Sequence, residues 1–403
     1  MVEMSMSALA QPQNARPRNH YPGLDGLRAI AVCMVFLQHY AANYAFVFGW
    51  GWTGVDIFFV LSGFLITGIL YDSQSQPHRY RDFYVRRTLR IFPLYYAVWL
   101  VILLAAPLMQ WQWNWRWLLW PAYLGNYARF IFLHQSGNPY RFDRLTAGPF
   151  AQQWFGSPMH LYIGHFWSLC VEEQFYLVWP LVVYQVRKRD TLIKICVGVI
   201  IAAPLFRWWL TTILSPQMLG MELLYRCMPT RIDALLIGGL IALCLRGPQK
   251  DWLHRGKHLL LGASATLFVV AYLLAVKVWK LPFDGSATNW VGIYGFTLID
   301  LFAAALILET IHPHGWWSRL LSLKALRNFG TISYGFYVYH DLLHDFYSYV
   351  GNRFFRAHAA PVTITLAFFA SWLIAWISYR VLESPLLKLK DRFTHQVHKV
   401  PTV

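Results

Sequence analysis

The stretch GWTGVDIFFVLSGFLITGIL, residues 51–70, holds one ionisable side chain, Asp56, in twenty positions. Twenty helical residues rise about 30 Å, which matches the hydrocarbon thickness of a bilayer. A segment with so little charge and such length reads as a transmembrane helix. The surrounding chain has the same character. Of its 403 residues, 57% are hydrophobic, 18% aromatic and only 13% charged. A soluble domain carries about twice that charged share. The 20 Trp and 23 Tyr suit a protein with two membrane–water interfaces, where amphipathic rings settle. The sequence therefore predicts an all-α integral membrane protein with no soluble domain.

Working outward from residues 51–70, the apolar stretches predict ten spans: 24–46, 52–71, 91–110, 165–186, 191–213, 229–246, 257–279, 290–311, 328–350 and 361–382. Residues 112–133 form an eleventh apolar segment. Arg116, Arg129, Pro121 and Gly125 make it an interfacial or re-entrant element rather than a span. The expected organisation is an N-terminal arm (1–20), a ten-helix domain (21–387) with a long loop at 111–164, and a basic tail (388–403).

There are 35 Lys and Arg against 19 Asp and Glu, a formal net charge of +16. The excess sits in short runs between apolar stretches, the pattern of the positive-inside rule rather than of a nucleic-acid surface. With both termini inside, the inner segments hold 21 Lys and Arg and the outer ones 8. This puts both termini in the cytoplasm and the loop 111–164 outside. The arm has no apolar core that would mark a cleaved signal peptide. Five scattered Cys show no metal or disulfide spacing. The absence of an N-x-Ser/Thr sequon is compatible with a bacterial inner membrane.

Ionisable residues inside spans are costly, so each is a site candidate. For a single residue, however, a hydrogen-bonded staple between helices is the commoner outcome. In the first span Arg28 and His39 are eleven residues apart, which puts them within about 20° of one face and about 16 Å apart in height. Arg28 then lies at the inner edge and His39 past the midplane. The fourth span brings Glu172 and Glu173 to the depth expected of His39. A carboxylate accepting one ring N–H would leave the other nitrogen basic, as a general base requires. Which of the two faces His39 is open at this stage.

In the second span, Ser62 and Gly63 lie mid-membrane, where small residues permit helix packing or ligand approach. Arg86, Arg87 and Arg90 stand at the inner mouth of the third span, either as ordinary anchors or as guanidinium forks for phosphate. Asp56, Arg231, Asp233 and His340 form an outer polar set, with Asp341 and His344 following His340. No third ligand accompanies His340 and His344 at a metal-site spacing, so no metal is expected. Asp300 reads as a helix–helix staple, and Arg380 with Glu383 as a salt bridge at the inner edge.

Seven segments in order resemble the acyltransferase-3 family of membrane O-acyltransferases. They are LDGLRAIAV with QHY (24–32, 38–40), GVDIFFVLSGFLIT (54–67), RRTLRIFPLYY (86–96), FWSLCVEEQFYLVWP (166–180), RIDALLIGG (231–239), ISYGFYVYH (332–340) and YRVLESP (379–385). The resemblance implies an acyl donor, usually acetyl-CoA, taken from the cytoplasm, and a sugar hydroxyl as acceptor, often on a lipid-linked or surface glycan. The family's basic-x10-His motif matches Arg28 and His39, and its double arginine matches Arg86 and Arg87. Some members carry an extra esterase-like domain, which is not expected here because the chain as given stops about twenty residues past the tenth span.

The expected chemistry is acyl transfer, with acyl-CoA held by Arg28, Arg86, Arg87, Arg90, Ser62 and Gly63. His39, helped by Glu172 or Glu173, acts as base, or as a nucleophile carrying an acetyl group. A rival of another class is a proton-coupled transporter relaying protons through Asp56, Glu172, Glu173 and His340. The sequence names neither the acceptor, the acyl length nor the oligomeric state.

Overall fold

A computed structural model describes residues 21–111, 115–131, 143–149, 156, 159–215, 223–274, 291–312, 315–355 and 358–393. The N-terminal arm, residues 394–403 of the tail, much of the loop 111–164 and residues 275–290 at the seventh and eighth spans lie outside them.

Thirteen helices of eight residues or more are used below. They are α1 (Pro22–Ala41), α2 (Thr53–Asp72), α3 (Arg79–Met109), α4 (Trp167–Val186), α5 (Arg189–Ile213), α6 (Met228–Cys244), α7 (Lys250–Leu273), α8 (Phe296–Ile311), α9 (Lys324–Thr331), α10 (Ser333–His340), α11 (His344–Phe355), α12 (Ala359–Ser378) and α13 (Ser384–Phe393). One small antiparallel hairpin joins β1 (Arg144–Thr146) to β2 (His160–Tyr162), with Leu145 opposite Leu161.

Among the described residues, five helical stretches are long and apolar enough to cross a bilayer by length and composition: Phe48–Asp72, Arg79–Met109, Arg189–Ile213, Val291–Ile311 and Ala359–Leu389. Outward faces of these and of α7 are apolar. Leu104 on α3, Leu205 on α5, Leu259 on α7 and Phe369 on α12 are all exposed. So much exposed apolar surface on many helices suits lipid and not water.

At the centre α2 packs on α6 through glycines. A Cβ on Gly63 would collide with the Leu235 backbone carbonyl, and one on Gly238 with the carbonyl of Val60. The reciprocal clash shows why small residues stand there: the two backbones touch. This corrects the expectation that Gly63 contacts the donor, because it is spent on packing.

The stretch 112–133, expected as an interfacial or re-entrant element and not a span, forms short helical turns in its described residues at Trp115–Leu119, Gly125–Tyr127 and Ala128–Ile131. One further expectation changes. The segment 328–350, expected as a single span, is divided among α9, α10 and α11. A cause of the second break is visible. The Leu342 carbonyl accepts the backbone N–H of Tyr162 from β2, and the Asp341 carboxylate turns to His344 at 3.3 Å. The hairpin thus takes a carbonyl that a continuous helix would have used internally.

Candidate active site

Two cavities lie one at each end of α1. The first, about 110 Å³, is lined by Arg28, Arg87, Arg90, Glu172, Glu173, Ser62 and Tyr176. The second, about 510 Å³, is lined by His39, Gln38, Asp341, His165 and three arginines, Arg129, Arg144 and Arg226, with Trp52, Tyr162, Trp167 and Tyr225 among its aromatic walls.

The basic cavity is built by α1, α2, α3, α4 and α10. Arg87 stacks its guanidinium over the Tyr176 ring at 3.9 Å and faces Glu172 and Glu173. The Tyr176 hydroxyl bonds to Ser62, with Glu172 beside them. Arg28 bonds Asp25 one turn earlier at 3.0 Å. Arg90 faces Glu383, which arrives from the turn after α12, while Arg380 lies over the Trp376 ring at 5.3 Å. Glu383 therefore joins the arginine cluster instead of pairing with Arg380. Arg86 does not line the cavity, although it follows from the same motif: one residue along a helix turns a side chain by about 100°.

The histidine cavity holds the base candidate. His39 Nδ1 lies 2.7 Å from His340 Nε2, and the two rings stack nearly parallel at 4.9 Å. The other nitrogen of His340, Nδ1, is 2.6 Å from the Tyr337 carbonyl. A carbonyl only accepts, so Nδ1 of His340 carries a proton. In the neutral ring its Nε2 is then the acceptor. His39 Nδ1 must therefore donate, which leaves a lone pair on His39 Nε2. Asp341 is the carboxylate nearest in this cavity, held 3.7 Å from His165 and 3.3 Å from His344. Tyr40 fixes the same corner by donating to the His340 carbonyl at 2.7 Å.

This arrangement corrects the expected pairing of His39 with Glu172 or Glu173. The depth argument assumed a first span reaching residue 46. Helix α1 ends at Ala41, so His39 is two residues from its end, not seven. At 1.5 Å per residue that lifts His39 by about 7 Å, and the glutamates line the other cavity.

The remaining outer residues separate as well. His340 supports His39, but Asp56, Arg231 and Asp233 line neither cavity and have no exposed surface. Arg231 bonds Asp56. Arg207 forms a two-pronged pair with Asp233, at 3.1 and 2.9 Å, and also bonds Thr297 at 2.6 Å. Asp300 lies beside Asp56 in the same enclosed network. This is the staple expected for Asp300, extended over α2, α5, α6 and α8.

Sequence reasoning missed Tyr176, His165, Ser168, Tyr337, Arg207 and the arginines of the histidine cavity. Arg207 was visible as a charge within an apolar stretch, and His165 as an imidazole at the mouth of the fourth span. Tyr176 and Tyr337 carried no signal among 23 tyrosines.

Residues 21–380 match the model of a family described as an acyltransferase domain. The chain belongs to that family. It is 32% identical over 387 residues to a Bacillus subtilis protein named as a candidate peptidoglycan O-acetyltransferase, covering 91% of this chain and 55% of that one. It is 27% identical over 394 residues to the peptidoglycan O-acetyltransferase of Listeria monocytogenes, covering 92% and 56%. A candidate O-acetyltransferase of Staphylococcus aureus is 27% identical over 390 residues, covering 92% and 58%. The chain thus spans a little over half the length of the curated relatives it matches. No solved structure matches it. Within the family's motifs, Arg28 and His39 stand at opposite ends of one helix and serve different cavities.

Proposed function

We propose that this chain is a membrane-embedded O-acyltransferase that moves an acetyl group from cytoplasmic acetyl-CoA to a hydroxyl of a glycan acceptor on the outer side. The observation that carries this reading is the pair of cavities, one ringed by guanidinium groups and one holding an imidazole with a free lone pair, on either side of a shared wall.

By the positive-inside count the basic cavity opens toward the cytoplasm. A space of about 110 Å³ holds only a few heavy atoms, so it suits the acetyl-thioester end of acyl-CoA and not its nucleotide. The phosphates would stay at the inner mouth, drawn by Arg28, Arg87 and Arg90. The histidine cavity has room for a sugar. Its Trp and Tyr rings offer flat apolar faces to sugar C–H groups, and Gln38, Asp143 and the arginines offer hydrogen bonds. The glycan named for the relatives agrees with that lining. The setting we infer is a bacterial plasma membrane, with the acceptor approaching from outside.

In the transfer, His39 Nε2 takes the proton of the acceptor hydroxyl as its oxygen attacks the thioester carbon, and returns it to the departing thiolate. His340 holds the tautomer, while Glu172 and Glu173 balance Arg87. The test is CoA release by purified protein given acetyl-CoA and a panel of glycans, wild type beside His39→Ala. A loss of at least about 10²-fold at unchanged melting temperature is expected, since positioned general bases contribute about 10²–10⁴. Near-normal transfer by His39→Ala would sink the proposal. Solute counterflow in proteoliposomes without an acyl donor would favour the transporter instead.

A further inference from the structure

The reaction proposed above needs more than a base. When the acceptor oxygen attacks, the thioester carbonyl becomes an oxyanion, and something must meet that charge. Donors placed where charge develops are commonly the largest single contribution to catalysis. The question is which groups stand where the two substrates can meet.

Among the described residues, only Val55 and Tyr337 line both cavities. A donor entering through the arginine cavity and an acceptor entering through the histidine cavity can react only across that wall. Val55 offers no hydrogen bond. Tyr337 offers a hydroxyl, and it is held in place: the phenol donates to the His165 carbonyl at 2.6 Å and lies 2.6 Å from Ser168 Oγ. Tyr337 and Ser168 are both buried. The chain fixes the phenol from two sides, because Tyr337 lies on α10, three residues before His340, while Ser168 lies on α4.

We infer that Tyr337 is a further catalytic residue of this transfer, its hydroxyl donating to the thioester oxygen as the tetrahedral intermediate forms, with Ser168 positioning it. The inference rests on the acyl-transfer reading. In the unliganded arrangement the phenol's proton is given to the His165 carbonyl. A thioester oxygen at the wall takes that proton by rotation of one C–O bond, while Ser168 can donate to the phenol oxygen in its place. The step balances. The acceptor oxygen bonds to the carbonyl carbon, its proton goes to His39 Nε2, and the C=O electron pair moves to oxygen beneath the Tyr337 hydroxyl. That pair then re-forms the carbonyl as the C–S bond breaks. The thiolate takes the proton from His39 and leaves as CoA thiol. Nothing is oxidised or reduced.

The same geometry explains why Tyr337 stands about one helical turn before His340 in the chain. Its carbonyl orders His340, which orders His39, and its side chain serves the oxyanion. One turn of α10 thus sets both halves of the reaction.

The experiment compares wild type, Tyr337→Phe, Ser168→Ala and His39→Ala in detergent, reading kcat and KM for acetyl-CoA together with CoA affinity by calorimetry. Tyr337→Phe keeps the ring and the wall and removes only the hydroxyl. The expected result is a fall in kcat of about 10²-fold, the scale of a lost oxyanion donor, with KM and CoA affinity within about threefold of wild type. Ser168→Ala should fall about tenfold in kcat with the same unchanged affinity. If Tyr337→Phe turns over at near wild-type kcat while His39→Ala is inactive, the inference fails and the acyl-transfer reading stands. If Tyr337→Phe weakens CoA binding in proportion to its loss of rate, the residue shapes the cavity only, and the inference is again overturned. If His39→Ala stays active, the underlying reading has failed, whatever Tyr337→Phe does.

Discussion

Two regions of this molecule bury ionisable groups in a membrane-spanning bundle, and they differ in one respect. Around α2, α5, α6 and α8, Arg231 meets Asp56 and Arg207 meets Asp233 and Thr297, with no exposed surface on the four charged partners. Around α1, α4 and α10, comparable groups line two cavities. In the first region each guanidinium has its carboxylate, and these four groups line neither cavity. In the second, His39 is exposed at the end of its helix with a lone pair directed away from its partner. Burial of charge alone does not mark a site; burial beside empty space does. Sequence reasoning that counts ionisable residues in spans cannot tell the two apart.

The strongest way to break this comparison is Asp56→Ala. It leaves the Arg231 guanidinium without its bonded carboxylate in an enclosed setting, where losing one partner of a buried pair costs about 3–5 kcal/mol. The expected result is a large drop in thermal stability in detergent, softened if Arg231 turns to Asp300. Whatever protein folds should transfer acetyl groups at an ordinary rate per molecule. Wild-type stability with abolished transfer would move the enclosed network into the functional site and dissolve the distinction.

A smaller effect sharpens the other side. His340→Ala removes the acceptor of the His39 Nδ1 proton, so His39 is free to take the unproductive tautomer. Loss of such an orienting partner typically costs about 10–100-fold in activity. His340→Gln can present an oxygen close to the position of Nε2 and should recover much of that loss in kcat. Equal damage from both substitutions would mean that His340 merely fills space.

The contrast also explains what was legible in the sequence. Helical content and membrane character followed from the scarcity of charge, a property of composition that no tertiary contact can reverse. Arg28 and His39 were found because eleven residues of helix put them on one face, a local relation. The partner of His39 was not found because His340 lies 301 residues away, and only the packing of α10 against α1 brings them together. The glutamates were assigned to the wrong cavity through an error of five residues in the end of one helix, since depth is read from helix ends. Span 328–350 read as continuous because its apolar pattern is continuous; the hydrogen bond from Tyr162 that interrupts it comes from a distant hairpin.

The smallest expected effect concerns Arg86 and Arg87, neighbours in one motif that the sequence could not rank. Arg87 lines the basic cavity, lies over Tyr176 and faces two glutamates, whereas Arg86 lines neither of the two cavities described. Alanine at position 87 would be a poor test, because it strands Glu172 and Glu173 without a countercharge. Lysine keeps the charge but loses the planar fork and its stacking on an aromatic face. Arg87→Lys should therefore raise KM for acetyl-CoA by about tenfold, or roughly 1.4 kcal/mol of binding, and leave kcat nearly intact. Arg86→Lys should change both less, since Arg86 lines neither the basic nor the histidine cavity. If instead the two substitutions raise KM alike, donor recognition is set by the summed positive field at the inner mouth and not by the guanidinium that lines the cavity. The two regions would then differ in access alone, without the fixed geometry argued for Arg87.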